Sequence, residues 1–419
     1  MIRPHVVVVG AGFGGLRVVN GLRSAPVDVT IVDANNFHTF QPLLYQVATA
    51  GLDADDICFP VRGILRRTRN ARFVFGRVTG IDIGNKTITV DSDRMLTYDY
   101  LVVAAGTVSA TFGISGVNEH TFALKSLDHA LALRAHLLNL FERASAAGEA
   151  DRPDLGVVIV GGGPTGVETA GGVRELIDHV LRKDYPELDL RHVPITLVEG
   201  TARLLGPFDP SLSAHASTAL RRLGVRVEVG VSVDHVEPGT VVLADGRRLD
   251  AGTIVWAAGV TASPVAAMLG VELTRGGRIP VLSDLSLPGH PEVFSIGDIA
   301  SPPTDSGAPL PQVAQPAIQG GKHVATQIIA SINNATRTTF RYHDKGSMAT
   351  IGRHHGVTQF PSGLKLHGVI GWFAWLGLHI VYLMGFRNRA NVLVNWAWNY
   401  VTFDRGSRII PTNPTTTAP

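Results

Sequence analysis

Four apolar runs in this chain share one habit: their cores carry no alternating polar position, and each runs into glycine. They are residues 5–9 (HVVVV), 98–106 (YDYLVVAAG), 155–160 (LGVVIV) and 252–259 (GTIVWAAG). Strands with no polar alternate position are buried on both faces, as in parallel sheets covered by helices. Shorter strands divided by polar turns lie between them, at residues 72–78, 86–90, 225–229 and 240–243. The pattern predicts an α/β chain organised around strand–turn–helix units.

The glycines sharpen this prediction. After the first run, Gly10, Gly12 and Gly15 have the G-x-G-x-x-G spacing, in the stretch Gly10, Ala11, Gly12, Phe13, Gly14, Gly15. The first glycine allows a tight turn, the second lets a pyrophosphate approach the backbone, and the third lets helix and strand pack closely. The phosphate then meets the unsatisfied N–H groups of a helix N-terminus. The strand 27–32 ends on Asp33, placed to accept ribose hydroxyls. The second copy repeats each part: Gly161, Gly163 and Gly166 follow one strand, and residues 193–198 end on Glu199. Gly10 and Gly106 are 96 positions apart, and Gly161 and Gly259 are 98 apart. That agreement points to an internal duplication, hence to two Rossmann-like dinucleotide-binding domains. A nicotinamide dehydrogenase with a separate substrate domain needs one such domain; a flavoenzyme reduced by a nicotinamide needs two. A carboxylate at Glu199 accepts from a 2′-hydroxyl and repels a 2′-phosphate, which favours NADH, although Arg203 lies close by in sequence.

Composition narrows the choice of chemistry. The chain of 419 residues has one cysteine, Cys58, which excludes an intrachain disulfide and a paired-cysteine redox centre. Cys58 reads as a small core residue. His38, His354 and His355 have no carboxylate or cysteine at ligand spacing, so no metal is assigned. The net charge of +2 calls for no nucleic-acid partner but hides an asymmetry. From Arg341 onward there are eight Lys and Arg against two Asp and Glu, whereas the first 340 residues carry 29 against 33. Four of the five tryptophans, Trp372, Trp375, Trp396 and Trp398, also lie in that last portion. The first buried strand starts by His5, so no secretory signal is expected.

Residues 291–298 (PEVFSIGD), with the first glycine turn and residues 98–106, resemble the FAD signature of the two-dinucleotide-binding-domain flavoproteins. Three further stretches resemble the type II NADH:quinone oxidoreductases in particular: 35–51 (NNFHTFQPLLYQVATAG), 313–322 (VAQPAIQGGK, the A-Q-x-A-x-Q pattern) and 379–393 (HIVYLMGFRNRANVL). The resemblance implies non-covalent FAD on the first copy, at residues 10–15, Asp33, Val78, Gly106, Asp298, Ala314 and Gln315. It implies NADH on the second, at Gly161, Gly163, Thr165, Gly166, Glu199, Ala258 and Gly259. The FAD domain would comprise residues 1–115 and 280–345, with the NADH domain (116–279) inserted in it. Gln315 and Gln319, four apart on one helix face, would bind the quinone. Ala314 and Ala317 would leave room for its flat ring. For Glu168 two readings stand: a residue that orients NADH or relays a proton, and a first-turn acid complementing the helix dipole. The implied activity is transfer of two electrons from NADH through FAD to a membrane quinone. The alternatives are a reductase of a soluble acceptor and a flavin-bearing redox sensor or interaction protein.

Residues 366–386 (LHGVIGWFAWLGLHIVYLMGF) contain no Asp, Glu, Lys or Arg. By length they qualify as a transmembrane span. The interleaved aromatics, followed by Arg387, Arg389, Arg405 and Arg408, favour a monotopic anchor in one leaflet, with tryptophans and arginines at the headgroups. Residues 346–410 are therefore expected to form a membrane-anchoring helical module on the cytoplasmic face of the cell membrane, touching lipid. Residues 411–419 are expected to be a disordered tail. A homodimer is left open.

Overall fold

The computed structural model describes residues 3–305, 307–402 and 405–410. The strands that matter for the site are, in chain order, β1 (His5–Val9), β2 (Asp28–Asp33), β3 (Ala71–Phe75), β4 (Tyr100–Val103), β5 (Phe122–Ala123), β6 (Val157–Val160), β7 (Ile195–Glu199), β8 (Val225–Val229), β9 (Thr253–Trp256), β10 (Ser286–Leu287) and β11 (His290–Ser295). The helices are α1 (Phe13–Gly21), α2 (Pro164–Leu176), α3 (Ala314–Ile332), α4 (Gly368–Tyr382) and α5 (Phe386–Thr402). The chain forms two compact units. The first comprises Met1–Thr39, Phe59–Val108 and Val260–Asp344; the second comprises Phe40–Cys58, Ser109–Gly259 and Lys345–Pro419.

The first unit holds a six-stranded sheet in the order β10-β11-β4-β1-β2-β3. All neighbours run parallel except β10, which is antiparallel to β11. Val6 to Val9 are buried at the centre, as an unbroken valine run between two parallel neighbours must be. Register then positions the chemistry. Val9 pairs with Val32 and with Val103, so the glycine turn, Asp33 and the turn at residues 104–106 emerge side by side at the carboxyl edge. A three-stranded antiparallel sheet, Val78–Asp82, Thr87–Val90 and Arg94–Thr97, accompanies it.

The second unit repeats this plan. Its sheet runs β5-β9-β6-β7-β8, all parallel, and Val160 pairs with Val198 and Trp256. Glu199 and residues 257–259 therefore flank the second glycine turn as Asp33 and residues 104–106 flank the first. A three-stranded antiparallel sheet again follows, from Val233–Glu237, Thr240–Leu243 and Arg248–Asp250. The place that β11 takes beside β4 is taken here by β5 beside β9.

Residues 40–58 cluster with the second unit because α5 clasps them. The Asn388 amide donates to the carbonyls of Asp55, Asp56 and Cys58, and the Trp396 indole donates to Gln46 at 2.8 Å. The apolar stretch 366–386 is not one helix. It starts as the end of a strand (Lys365–His367), continues as the 15-residue α4 and breaks before α5 at Gly385, whose φ is +81°. Fifteen residues span about 22 Å, short of a hydrocarbon core of about 30 Å. Among the described residues no helix is long and apolar enough to cross a membrane.

The expected headgroup contacts need correction. Trp372, Trp375 and Trp396 face inward and are buried. Arg405 is buried too, donating to the carbonyls of Thr49 and Gly172 and pairing with Glu175 at 3.0 Å. Arg408 pairs with Asp184 at 2.6 Å, and Arg389 donates to the carbonyls of Val381 and Leu383 at the end of α4. Arg387 is exposed. Much of what α4 and α5 present to the outside is apolar: Ile370, Phe373, Val381, Phe386, Val394 and Trp398 are each at least 60% exposed.

Candidate functional site

Each unit carries one glycine turn, and the two are built alike. Gly10 has φ +106° and a Cβ there would lie 2.4 Å from the Ala104 carbonyl oxygen; Gly161 has φ +112° and would meet Ala257 at 2.5 Å. A Cβ on Gly15 or Gly166 would strike the carbonyl oxygen of Gly10 or Gly161 at under 2 Å. The middle glycines differ from these in kind. Around Gly12 and Gly163 a Cβ would meet no described atom within 4 Å. No contact with the described residues requires glycine at either position, and a dinucleotide pyrophosphate lying against the backbone there would. Neither α1 nor α2 has an acidic residue in its first turn or a side-chain cap, so both leave their positive ends open to an anion.

The acids are held ready by backbone donors. Asp33 accepts from the N–H groups of Ala11 (2.6 Å) and Asn35 (2.7 Å). Burial pushes its carboxyl up, against the pull of those two donors and of Arg77. Glu199 accepts in the same way from Gly162 (2.6 Å) and Thr201 (2.7 Å). Arg203, the cation that clouded the reading of Glu199, donates to the Gly206 carbonyl within its own loop. In both copies, then, the acid at the end of the second strand braces the glycine turn of the first.

In the first unit, α3 starts beside the glycine turn because α1 and α3 cross on small residues. A Cβ on Gly21 would lie 2.5 Å from Ala325, and one on Gly321 would lie 2.4 Å from the Gly14 carbonyl oxygen. Ala314 and Gln315 thereby form the first turn of a helix packed on α1. Ala317 packs against Gly297, where a Cβ would approach it to 3.1 Å. Gln319 uses its amide on protein backbone, donating to the His343 carbonyl (2.8 Å) and accepting from the His343 N–H (2.9 Å). Asp298 follows β11 and lies 3.5 Å from the Thr107 hydroxyl, which donates to it. Val78 is buried where its strand begins, and Gly106 has φ +66° with its carbonyl accepting from Ser263 at 3.0 Å.

In the second unit, Thr165 is exposed in the first turn of α2, and Ala258 and Gly259 follow β9 half-buried. Glu168 is the fifth residue of α2, beyond the first turn, so it does not complement the helix dipole. It is buried, accepting from the Thr350 N–H at 3.2 Å and from the Trp375 indole. Burial raises its pKa from an ordinary 4.5 to about 8, against those two hydrogen bonds. Glu168 therefore holds a proton at neutral pH. Thr350 and Trp375 were not legible as its partners, since they lie some 180 and 200 positions downstream.

This has a measurable consequence. Between pH 4.5 and 8 the folded state keeps a proton that the unfolded chain releases, so stability from this group is full below about 4.5 and falls as pH rises through 8. Relative to Glu168→Gln, the wild type is expected to lose up to ~1.4 kcal/mol per pH unit across that window. Urea denaturation of both proteins at pH 5, 6, 7 and 8 checks it; parallel pH profiles would show that Glu168 is ionised throughout.

Comparison with known proteins agrees with this architecture. The family model described as pyridine nucleotide-disulphide oxidoreductase matches residues 4–321. The chain is 38% identical to the type II NADH:quinone oxidoreductase Ndh of Mycobacterium tuberculosis, covering 97% of this chain and 90% of that one. It is 32% identical to a type II NADH:quinone oxidoreductase of Staphylococcus haemolyticus, over 85% of this chain and 89% of the relative. Among solved structures, NDH2 from Plasmodium falciparum in complex with NADH superposes with a TM-score of 0.89 at 20% identity, over 98% of this chain and all of that one. The sulfide:quinone oxidoreductase of Aquifex aeolicus shares the fold with a TM-score of 0.73 at 20% identity, over 95% of each chain. The chain belongs to the pyridine nucleotide-disulphide oxidoreductases and, among them, to the type II NADH:quinone oxidoreductases.

Proposed function

We propose that this chain oxidises NADH and delivers two electrons, by way of non-covalently held FAD, to a quinone drawn from the membrane. The observation that carries the reading is the doubled glycine turn with an open middle position in each copy, in a chain of this family. FAD belongs to the first copy, where bound flavin would supply the two-electron step between nicotinamide and quinone. Residues 10–15 and the α1 N-terminus would hold its pyrophosphate, Asp33 its ribose and Asp298 its ribityl or pyrophosphate part. Val78, Gly106, Ala314 and Gln315 complete that site. NADH belongs to the second copy, with Gly161, Gly163, Thr165 and Gly166 at the pyrophosphate, Glu199 at the adenine ribose, and Ala258 and Gly259 toward the nicotinamide. The sequence bounds of the FAD domain (1–115 and 280–345) and the NADH domain (116–279) approximate these two sites; the compact units draw the boundaries near residues 108 and 260 and place 40–58 with the second unit.

Glu168 would orient the nicotinamide or relay a proton from its carboxyl, which is protonated near neutral pH. Gln315 would meet the quinone through a neutral amide. Gln319, its amide tied to the His343 backbone, would act on the quinone site by fixing that segment. The apolar outer faces of α4 and α5 support peripheral attachment of residues 346–410 to one leaflet, on the cytoplasmic side where NADH is found. A soluble-acceptor reductase would have no use for such a face.

The test pairs nucleotide choice with acceptor choice. Wild-type protein should reduce long-chain quinone with NADH far better than with NADPH. Glu199→Ser should narrow that NADH preference by about tenfold, because a 2′-phosphate then meets no fixed negative charge. Equal kcat/KM for both nucleotides in the wild type would overturn the assignment of Glu199. A wild type that reduces ferredoxin-type proteins or oxygen but not quinone would overturn the acceptor.

A further inference from the structure

Phe112 occupies an unfavourable backbone position with its ring in solvent. Thr111 accepts from the Ile114 N–H at 3.0 Å, closing a four-residue turn. Its two central residues, Phe112 and Gly113, have φ +54° and +73°. Positive φ at both central positions defines a type I′ turn, whose preferred pair is Asn-Gly. Glycine at the second position is ordinary, whereas a bulky aromatic at the first is strained. Burial does not account for it, since Phe112 is 66% exposed. Strain retained at an exposed position indicates a demand on the side chain other than packing.

The ring has a fixed neighbour in Gly259. A Cβ built on Gly259 would lie 2.8 Å from its Cζ and 3.3 Å from a Cε carbon, so the tip of the ring rests over the Gly259 backbone. Gly259 is pinned in turn, its carbonyl accepting from the Ala110 N–H at 3.0 Å, while the Ala110 carbonyl accepts from the Trp256 indole at 2.7 Å. Gly259 lies just past β9, at the carboxyl edge of the second sheet. The strand order β9-β6-β7 puts the glycine turn in the middle, Glu199 on one side and Gly259 on the other. A dinucleotide with its adenine ribose at Glu199 and its pyrophosphate at Gly163 leaves its nicotinamide half over β9.

We propose that Phe112 is a positioning residue for NADH: its exposed ring, set against Gly259 by the strained turn, packs on the nicotinamide half of the bound nucleotide. The proposal rests on the assignment of NADH to the second copy. It makes the strained turn a device for presenting an aromatic surface beside the path of the ligand. The faces of the Phe112 ring and the nicotinamide, lost from water together, supply affinity without a hydrogen bond.

Phe112→Asn separates this from a structural role, because the two predict opposite signs. Asparagine suits the turn, so Tm should rise by about 2 °C. Affinity for NADH should nevertheless fall about 5- to 10-fold, the factor for about 50 Å² of apolar contact. ADP-ribose, which lacks the nicotinamide, should bind wild type and variant alike, and Phe112→Tyr should restore NADH binding. Binding is read by titration of the holoenzyme with its flavin already reduced by dithionite under anaerobic conditions, so that NADH binds without reacting, with Tm measured in parallel. Unchanged NADH affinity in Phe112→Asn, or equal losses for NADH and ADP-ribose, overturns the proposal while leaving the nucleotide site standing. A wild type that binds neither ligand overturns the nucleotide site itself.

Discussion

Replacing Ile370, Phe373, Val381 and Phe386 together by serine is expected to release the protein from liposomes and to lower long-chain quinone turnover by more than tenfold. All four are largely exposed on α4 and at the start of α5, so nothing in the core is lost. If each buries roughly 60 Å² in a leaflet, at ~25 cal/mol per Å² the set contributes ~6 kcal/mol of attachment, more than a thousandfold in partition. Reduction of the flavin by NADH should stay within about twofold of wild type, because that step needs no lipid. Co-sedimentation with anionic and neutral vesicles, alongside stopped-flow flavin reduction, reads both. A variant that still sediments with vesicles and still turns over long-chain quinone at the wild-type rate would show that another surface meets the membrane.

Arg405→Gln is expected to behave in the opposite way, leaving liposome binding intact and destabilising the fold. The guanidinium is buried between the Thr49 and Gly172 carbonyls and the Glu175 carboxylate. Its removal leaves two carbonyls without that donor and leaves Glu175 paired with Arg353, 3.5 Å away. Deleting one partner of a buried pair costs about 3–5 kcal/mol when nothing compensates; with Arg353 in place the loss should be about 2–3 kcal/mol. Chemical denaturation reads it. Reduced vesicle binding with unchanged stability would return Arg405 to the lipid surface. Truncation at residue 365 is a poor membrane test for the same reason, because it strips Trp375, Trp396 and Arg405 from the interior of the second unit.

The local parts of this architecture were legible in the chain because their physics is local. A glycine that must accept φ +106° or approach a carbonyl closely is marked by its own identity, and the acid that braces it sits at the end of the next strand. Register did the rest, bringing Asp33 to Gly10 and Glu199 to Gly161 without help from distant residues. The orientation of α4 was not legible in the same way. A helix apolar on every side has no polar face to mark its exterior, so charge-free length said nothing about which side met protein. The spacing of Trp372, Trp375 and His379 at i, i+3 and i+7 was the available signal, since large aromatics on one stripe pack inward more often than they float.

Long-range pairing was hidden for a different reason. Arg405 and Glu175 are 230 positions apart, and neither stretch carries a trace of the other. An arginine beside tryptophans looks the same whether it meets a phosphate or a buried carboxylate. Glu168 was visible as a candidate, but its burial depends on Thr350 and Trp375. The strand β5, which completes the second sheet from a segment before its glycine turn, is two residues long and has no periodicity to read.

The central claim is that electrons enter from NADH and leave to quinone through one flavin, and the two half-reactions measured separately under anaerobic conditions test it most directly. NADH added to the purified holoprotein should bleach the flavin absorbance with one equivalent per flavin, and quinone added afterwards in lipid should restore it with one equivalent of quinol formed. A folded protein that carries no flavin and takes up none from solution, or a reduced flavin that quinone fails to reoxidise, would contradict the account.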